Sequence, residues 1–161
     1  MDLSGQRGDR QVLVGGVPAV SAVFGDEKEI GEARDLVRDF LTSVQAEHGL
    51  PVSQRAMGMV QLAVSELVTN AHKHAPGPCL LTLRVEDGTI QASVWDSSTT
   101  LPLVLPTDPA RVGQHGLEIV MALCQTFAVQ REPVGKRITI SVMLADDPDD
   151  PDENVAGRTA L

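Results

Sequence analysis

Along residues 11–144 the segments read strand, helix, helix, hairpin, long loop, helix, hairpin, and that order predicts an α/β (α+β) two-layer sandwich. Its sheet is mostly antiparallel (mixed), with the helices packed on one face. Three observations predict this class. Two adjacent segments carry apolar residues at helical spacing, two alternating runs meet at Asp87-Gly88, and a second strand pair follows a short helix late in the chain.

Residues 12–24 hold scattered β-branched residues interrupted by Gly15-Gly16 and Pro18, the pattern of an edge strand. Asp26 with Glu29 three residues on reads as a helix cap, after which Ile30, Ala33, Val37, Phe40, Leu41 and Val44 recur on one face until His48-Gly49. Ser53 opens a second helix after Pro51. Its stripe runs through Val60, Ala63, Val64, Leu67, Val68, Ala71 and Ala75, and Pro76-Gly77-Pro78 stops it.

Residues 80–86 and 89–95 are strand-like and flank Asp87-Gly88, a dipeptide suited to a tight hairpin, so they pair antiparallel. Residues 97–112 contain Pro102, Pro106 and Pro109 and read as a long loop with the character of a lid. Helical spacing returns at Leu117, Val120, Met121 and Cys124. A strand at 127–131, a turn at 133–135 and a last strand at 137–144 complete the folded part. Residues 1–10 read as a flexible N-terminus and 145–161 as an acidic disordered tail, because 146–153 hold six of the 22 acidic residues in a run broken by prolines.

Composition narrows the function. The chain has 161 residues, and 42% of them are hydrophobic, enough for one domain with a core of its own. A formal net charge of −9 and 2% aromatic residues speak against direct nucleic-acid binding, which needs clustered Lys and Arg and stacking rings. No stretch is long and apolar enough to span a membrane, and residues 1–10 lack the apolar centre of a secretory signal, so the expected location is cytoplasmic. Cys79 and Cys124 have no metal-ligand spacing and read as buried free thiols.

Chemistry-bearing residues appear in three places. On the second helix Glu66 and Asn70 lie one turn apart along one edge, where a carboxylate can take a proton and an amide oxygen can hold Mg²⁺. Asp96 ends a strand at the mouth of the Pro-rich loop, placed to accept a hydrogen bond from an exocyclic amine such as that of adenine. Gly113-Gln114-His115-Gly116-Leu117 stands directly before a helix, where close backbone approach and free N–H groups favour phosphate. Lys73 and His74 are weaker candidates, Lys73 turned to solvent and His74 nearer the apolar stripe.

With Glu66-Leu67-Val68-Thr69-Asn70-Ala71 and its neighbouring Ala-Val-Ser and His-Ala residues, the sequence resembles the GHKL (Bergerat-fold) ATP-binding superfamily, and within it the anti-sigma-factor serine/threonine protein kinases. The resemblance extends over residues 25–144 and implies the histidine-kinase-like ATPase fold. It implies Glu66 as catalytic base, Asn70 as Mg²⁺ ligand, Asp96 as adenine contact, and Gly113, Gly116 and Leu117 as the phosphate loop. The cofactors implied are ATP and Mg²⁺. The partners implied are a sigma factor and an anti-sigma-factor antagonist carrying the Ser/Thr substrate, and the first strand is implied as a homodimer edge, although its Gly and Pro equally suit a device that blocks pairing.

The sequence departs from the family pattern at Ser98 and Thr100 in place of alternating glycines, at the two residues between Gly113 and Gly116, and at Arg137 in place of a Thr. Two other readings stand beside the kinase: a non-catalytic nucleotide-dependent interaction module, and a detached histidine-kinase-type catalytic domain. Compactness prefers the serine kinase.

Overall fold

The computed structural model describes residues 12–14, 16–75, 77–98 and 116–146. They form β1 (Val12–Val14), β2 (Val17–Phe24), a one-turn 3₁₀ helix at Glu27–Glu29, α1 (Ile30–His48), α2 (Gln54–His74), β3 (Cys79–Glu86), β4 (Thr89–Asp96), α3 (Gly116–Leu123), β5 (Thr126–Arg131) and β6 (Lys136–Met143). The six strands make one sheet in the order β1-β2-β3-β4-β6-β5, and every pairing among the described strands is antiparallel. This is the predicted two-layer α+β arrangement.

The first segment differs from the expectation of one edge strand. Residues 12–14 and 17–19 pair as a hairpin, with Val14 opposite Val17, so β1 lies beside the start of β2, while residues 20–24 pair with β3 alone among the described strands. Pro18 is tolerated because the β2–β3 register begins at Ala19, leaving no β3 partner for the N–H that proline lacks. On the side away from β3, β1 covers only Val17–Ala19 of β2.

The cap of α1 also moves. The Asp26 carboxylate accepts from the Lys28 N–H at 2.7 Å, and Glu29 reaches back to the Gly25 N–H at 2.7 Å, so the predicted pair caps the 3₁₀ turn, and α1 proper starts one residue beyond Glu29. Helix α2 starts as expected, with the Ser53 hydroxyl accepting from the Ala56 N–H at 3.0 Å, which satisfies one of the orphan donors of its first turn.

The core lies between the helices and the inner face of the sheet. Val60, Ala63, Val64, Leu67, Val68 and Ala71 of α2 are all buried there, as are Val37, Leu41 and Val44 of α1. From the sheet come Leu81, Leu83 and Val85 of β3, Ile90, Ala92 and Val94 of β4, and Ile138, Ile140 and Val142 of β6. The two-residue period of each strand sends the intervening residues, such as Thr82, Ser93, Trp95 and Arg137, to the outer face. At the β3–β4 hairpin Asp87 and Gly88 have φ of 56° and 72°, the double left-handed turn that matches strand twist.

Three sequence expectations for single residues change. Met121 is 44% exposed, because α3 presents only Leu117 and Val120 to the core. His74 is exposed at the last turn of α2, beyond the reach of the stripe. Asp146 pairs with Arg55 at 3.0 Å, so chain order persists just past Leu144 into the segment read as tail. The expected flexible residues 1–10, the loop over residues 99–112, and the tail from 147 onward lie outside the described residues.

Candidate functional site

Connectivity decides which end of α2 faces which end of the sheet. The Ser53 N–H at its start donates to the Leu144 carbonyl at 2.8 Å, and the Leu144 N–H donates to the Gly88 carbonyl at 3.0 Å, so α2 begins over the hairpin end of β3 and β4. It ends at His74, and after Ala75 the chain enters β3 at Cys79, next to Leu80, which lies opposite Trp95. Asn70 in the penultimate turn of α2, with Glu66 one turn before it, thus stands at the end of the sheet where β4 finishes in Asp96. Helix α3 packs on α2, which brings Gly116 and Leu117 to the same helical layer.

Asn70 is buried, and its Nδ2 has no hydrogen-bond partner among the described residues. A buried amide N–H left unpaired costs about 1–3 kcal/mol, and a phosphate oxygen is one acceptor that would satisfy it. The oxygen of the same amide is a hard-cation ligand. An orphaned donor joined to such an acceptor fits a metal–phosphate group. Glu66 is half-buried one turn away, with access to solvent for proton exchange. His72 Nε2, two residues beyond Asn70, is likewise buried without a partner.

Asp96 is 2% exposed and already bound within the protein. Both of its carboxylate oxygens accept from Lys136 Nζ at 2.9 Å, and Oδ1 also accepts from the Ser98 N–H at 2.9 Å. Lys136 is 1% exposed and directly opposite Asp96 in the β4–β6 register. The turn before it makes this approach possible. Gly135 has φ of 80°, and a β-carbon placed on it meets the Asp96 carbonyl oxygen at 2.0 Å, so the turn backbone lies against the end of β4 where no side chain fits.

Cys79 reports the same neighbourhood. Burial pushes its thiol up to about 11, and the negative charges of Asp96 and Glu29 push in the same direction against a backbone hydrogen bond. Cys124, half-buried after α3, is raised to about 11 by burial alone. Both are free thiols, as expected.

The directions of α2 and β4 thus set Glu66, Asn70 and Asp96 toward the same end of the sandwich. Gly116 is the first residue of α3, and Leu117 buries its side chain in the core, so what Leu117 has for an anion is its backbone N–H. Gly113, with Gln114, His115 and Thr100, lies outside the described residues. Arg137, noted as a departure, faces the outer side of the sheet, where its guanidinium binds Glu132 at 3.1 Å and Ser93 at 3.2 Å. Sequence reasoning missed Lys136 because it started the last strand one residue late. The signal was present, since Ile138, Ile140 and Val142 point inward and the same period puts residue 136 beside them.

Comparison with known proteins adds the family. A family model described as a histidine kinase-like ATPase domain matches residues 29–142, which include Glu66, Asn70, Asp96, Gly113, Gly116 and Leu117. No curated protein matches the chain. Solved structures that resemble it include the histidine kinase domain from the Erythrobacter litoralis EL346 blue-light activated histidine kinase, 22% identical with a TM-score of 0.44. That match covers 70% of this chain and 61% of the other, so the chain spans about three fifths of that structure's length.

Proposed function

The chain belongs to the histidine kinase-like ATPase domain family, and from that premise we propose that it binds Mg²⁺·ATP and transfers the γ-phosphoryl group to a Ser or Thr hydroxyl of a protein. The protein substrate in this reading is an anti-sigma-factor antagonist, and the same domain sequesters a sigma factor.

One observation carries the reading: a half-buried carboxylate, Glu66, one helical turn before a buried amide, Asn70, whose donor is unsatisfied. Asn70 would hold Mg²⁺ through its oxygen and a phosphate oxygen through its free N–H. The metal there would neutralise charge on the phosphates. Glu66 accepts the proton of the attacking hydroxyl, and the N–H groups at the start of α3 offer partial positive charge to the phosphates. Asp96 closes the base end of the site.

The test is phosphotransfer from radiolabelled ATP to a candidate antagonist, with sigma-factor binding followed in parallel. Labelled antagonist supports the kinase; ATP and sigma-factor binding without label supports the non-catalytic module.

A further inference from the structure

Asp96 and Lys136 are the two buried charged residues among those described. A lysine is almost never fully buried unless paired, and burying an ion pair rarely adds stability over well-packed apolar side chains. Here the β4–β6 register sets the two residues opposite each other, and Gly135 is the one residue type that lets the turn come close enough. The ammonium sits 2.9 Å from both carboxylate oxygens, at the mouth of the segment where a purine amine is expected to be read.

We propose that Lys136 takes the place of a ligand amine at Asp96, so that the nucleotide site does not select for the 6-amino group of adenine. The inference rests on the reading of Asp96 as the base contact. An ionised carboxylate offers about four acceptor positions, and three contacts are already made, two from Lys136 Nζ and one from the Ser98 N–H. An ammonium–carboxylate hydrogen bond is stronger than one from a neutral amine. Adenine's amine must either crowd into the one acceptor position left, beside the ammonium, or displace the ammonium and leave a buried cation unpaired. A 6-oxo base meets no such penalty, because Nζ has a third N–H to donate to the ring carbonyl. A free Asp96 would prefer the amine by roughly ten- to a hundred-fold, the usual consequence of an unpaired buried polar group; with Lys136 in place the preference collapses.

The experiment is titration calorimetry of the full chain with Mg²⁺·ATP and Mg²⁺·ITP, whose bases differ at position 6. Wild type is expected to bind the two within about three-fold, and Lys136→Met, which keeps the linear stem and drops the charge, to favour ATP by about ten-fold or more. Wild type favouring ATP by that factor overturns the inference, whether or not the variant folds, and leaves the ATP-binding reading intact. A folded Lys136→Met that still treats ATP and ITP alike also overturns it. If folded wild type binds neither triphosphate, the ATP-binding reading fails and takes this inference with it.

Discussion

Replacing Gly135 by alanine puts a methyl carbon where the Asp96 carbonyl oxygen already stands, 2.0 Å away. Non-bonded carbon contacts are comfortable near 3.5 Å, so one of the two backbones must retreat by more than about 1 Å. Neither atom belongs to a side chain that can rotate aside. Overpacking of this kind costs about 1–3 kcal/mol, and holding alanine in the left-handed region that Gly135 occupies at φ 80° adds about 1–2 kcal/mol. The sum is about 2–5 kcal/mol, and for a domain of this size each kcal/mol lowers the melting temperature by about 2–4 °C. The expected fall is therefore roughly 5–20 °C, measured by scanning calorimetry against wild type. Serine at the same position should do as badly, since the β-carbon is the offender. A Gly135→Ala protein that melts within 2 °C or so of wild type would refute the reasoning, because it would mean that the turn does not press on the end of β4.

Four further outcomes are expected. Glu66→Gln should keep Mg²⁺·ATP binding yet lose phosphotransfer by about 10²–10⁴-fold, read as initial rates with radiolabelled ATP; full activity would remove Glu66 as the base. Asn70→Ala should instead weaken binding itself and reduce its Mg²⁺ dependence, checked by calorimetry with and without the metal. For the thiols, a pKa near 11 in the folded state against an ordinary 9.0 means that the fold holds the proton more tightly, so stability is full below pH 9 and declines as pH rises toward 11. Denaturant midpoints across that range, compared with a Cys79→Ala/Cys124→Ala control, should show the decline in wild type only. Truncation after Leu144 removes Asp146 and its pair with the half-exposed Arg55; such pairs contribute about 0–1 kcal/mol, so a melting temperature lowered by more than several degrees would show that the removed residues dock elsewhere on the domain.

Much of the fold was legible because its signals are local. Asp87-Gly88 can form only a tight turn between two alternating runs, and the Ser53 cap followed by Val60, Val64, Leu67 and Ala71 specifies both the start and the buried face of α2. Glu66 and Asn70 follow from that face, since helix geometry alone puts them one turn apart. What was hidden depends on which segments come to lie together. Gly15-Gly16 reads equally as a break in one strand or as the bend of a hairpin, and only the pairing of Val12–Val14 with residues 17–19 decides for the hairpin. Lys136 looks like one more surface lysine until β6 is set beside β4, forty residues away, where Asp96 waits as its counter-ion. Met121 has helical spacing but sits on the side of α3 that turns away from Leu117 and Val120, the residues that reach the core.

The position of β6 between β4 and β5 has a consequence for how the domain comes into being on the ribosome. Asp96 is synthesised forty residues before Lys136, and at roughly 5–20 residues per second that is a wait of about 2–8 s. Throughout it β4 has β3 on one side and an unpaired row of amides and carbonyls on the other, a template for any extended chain nearby. The sheet cannot be assembled by adding strands in order of synthesis. Nascent chains stalled before residue 136 should accordingly be sticky and chaperone-bound, and should release abruptly once residues 136–143 clear the exit tunnel and slide into the gap.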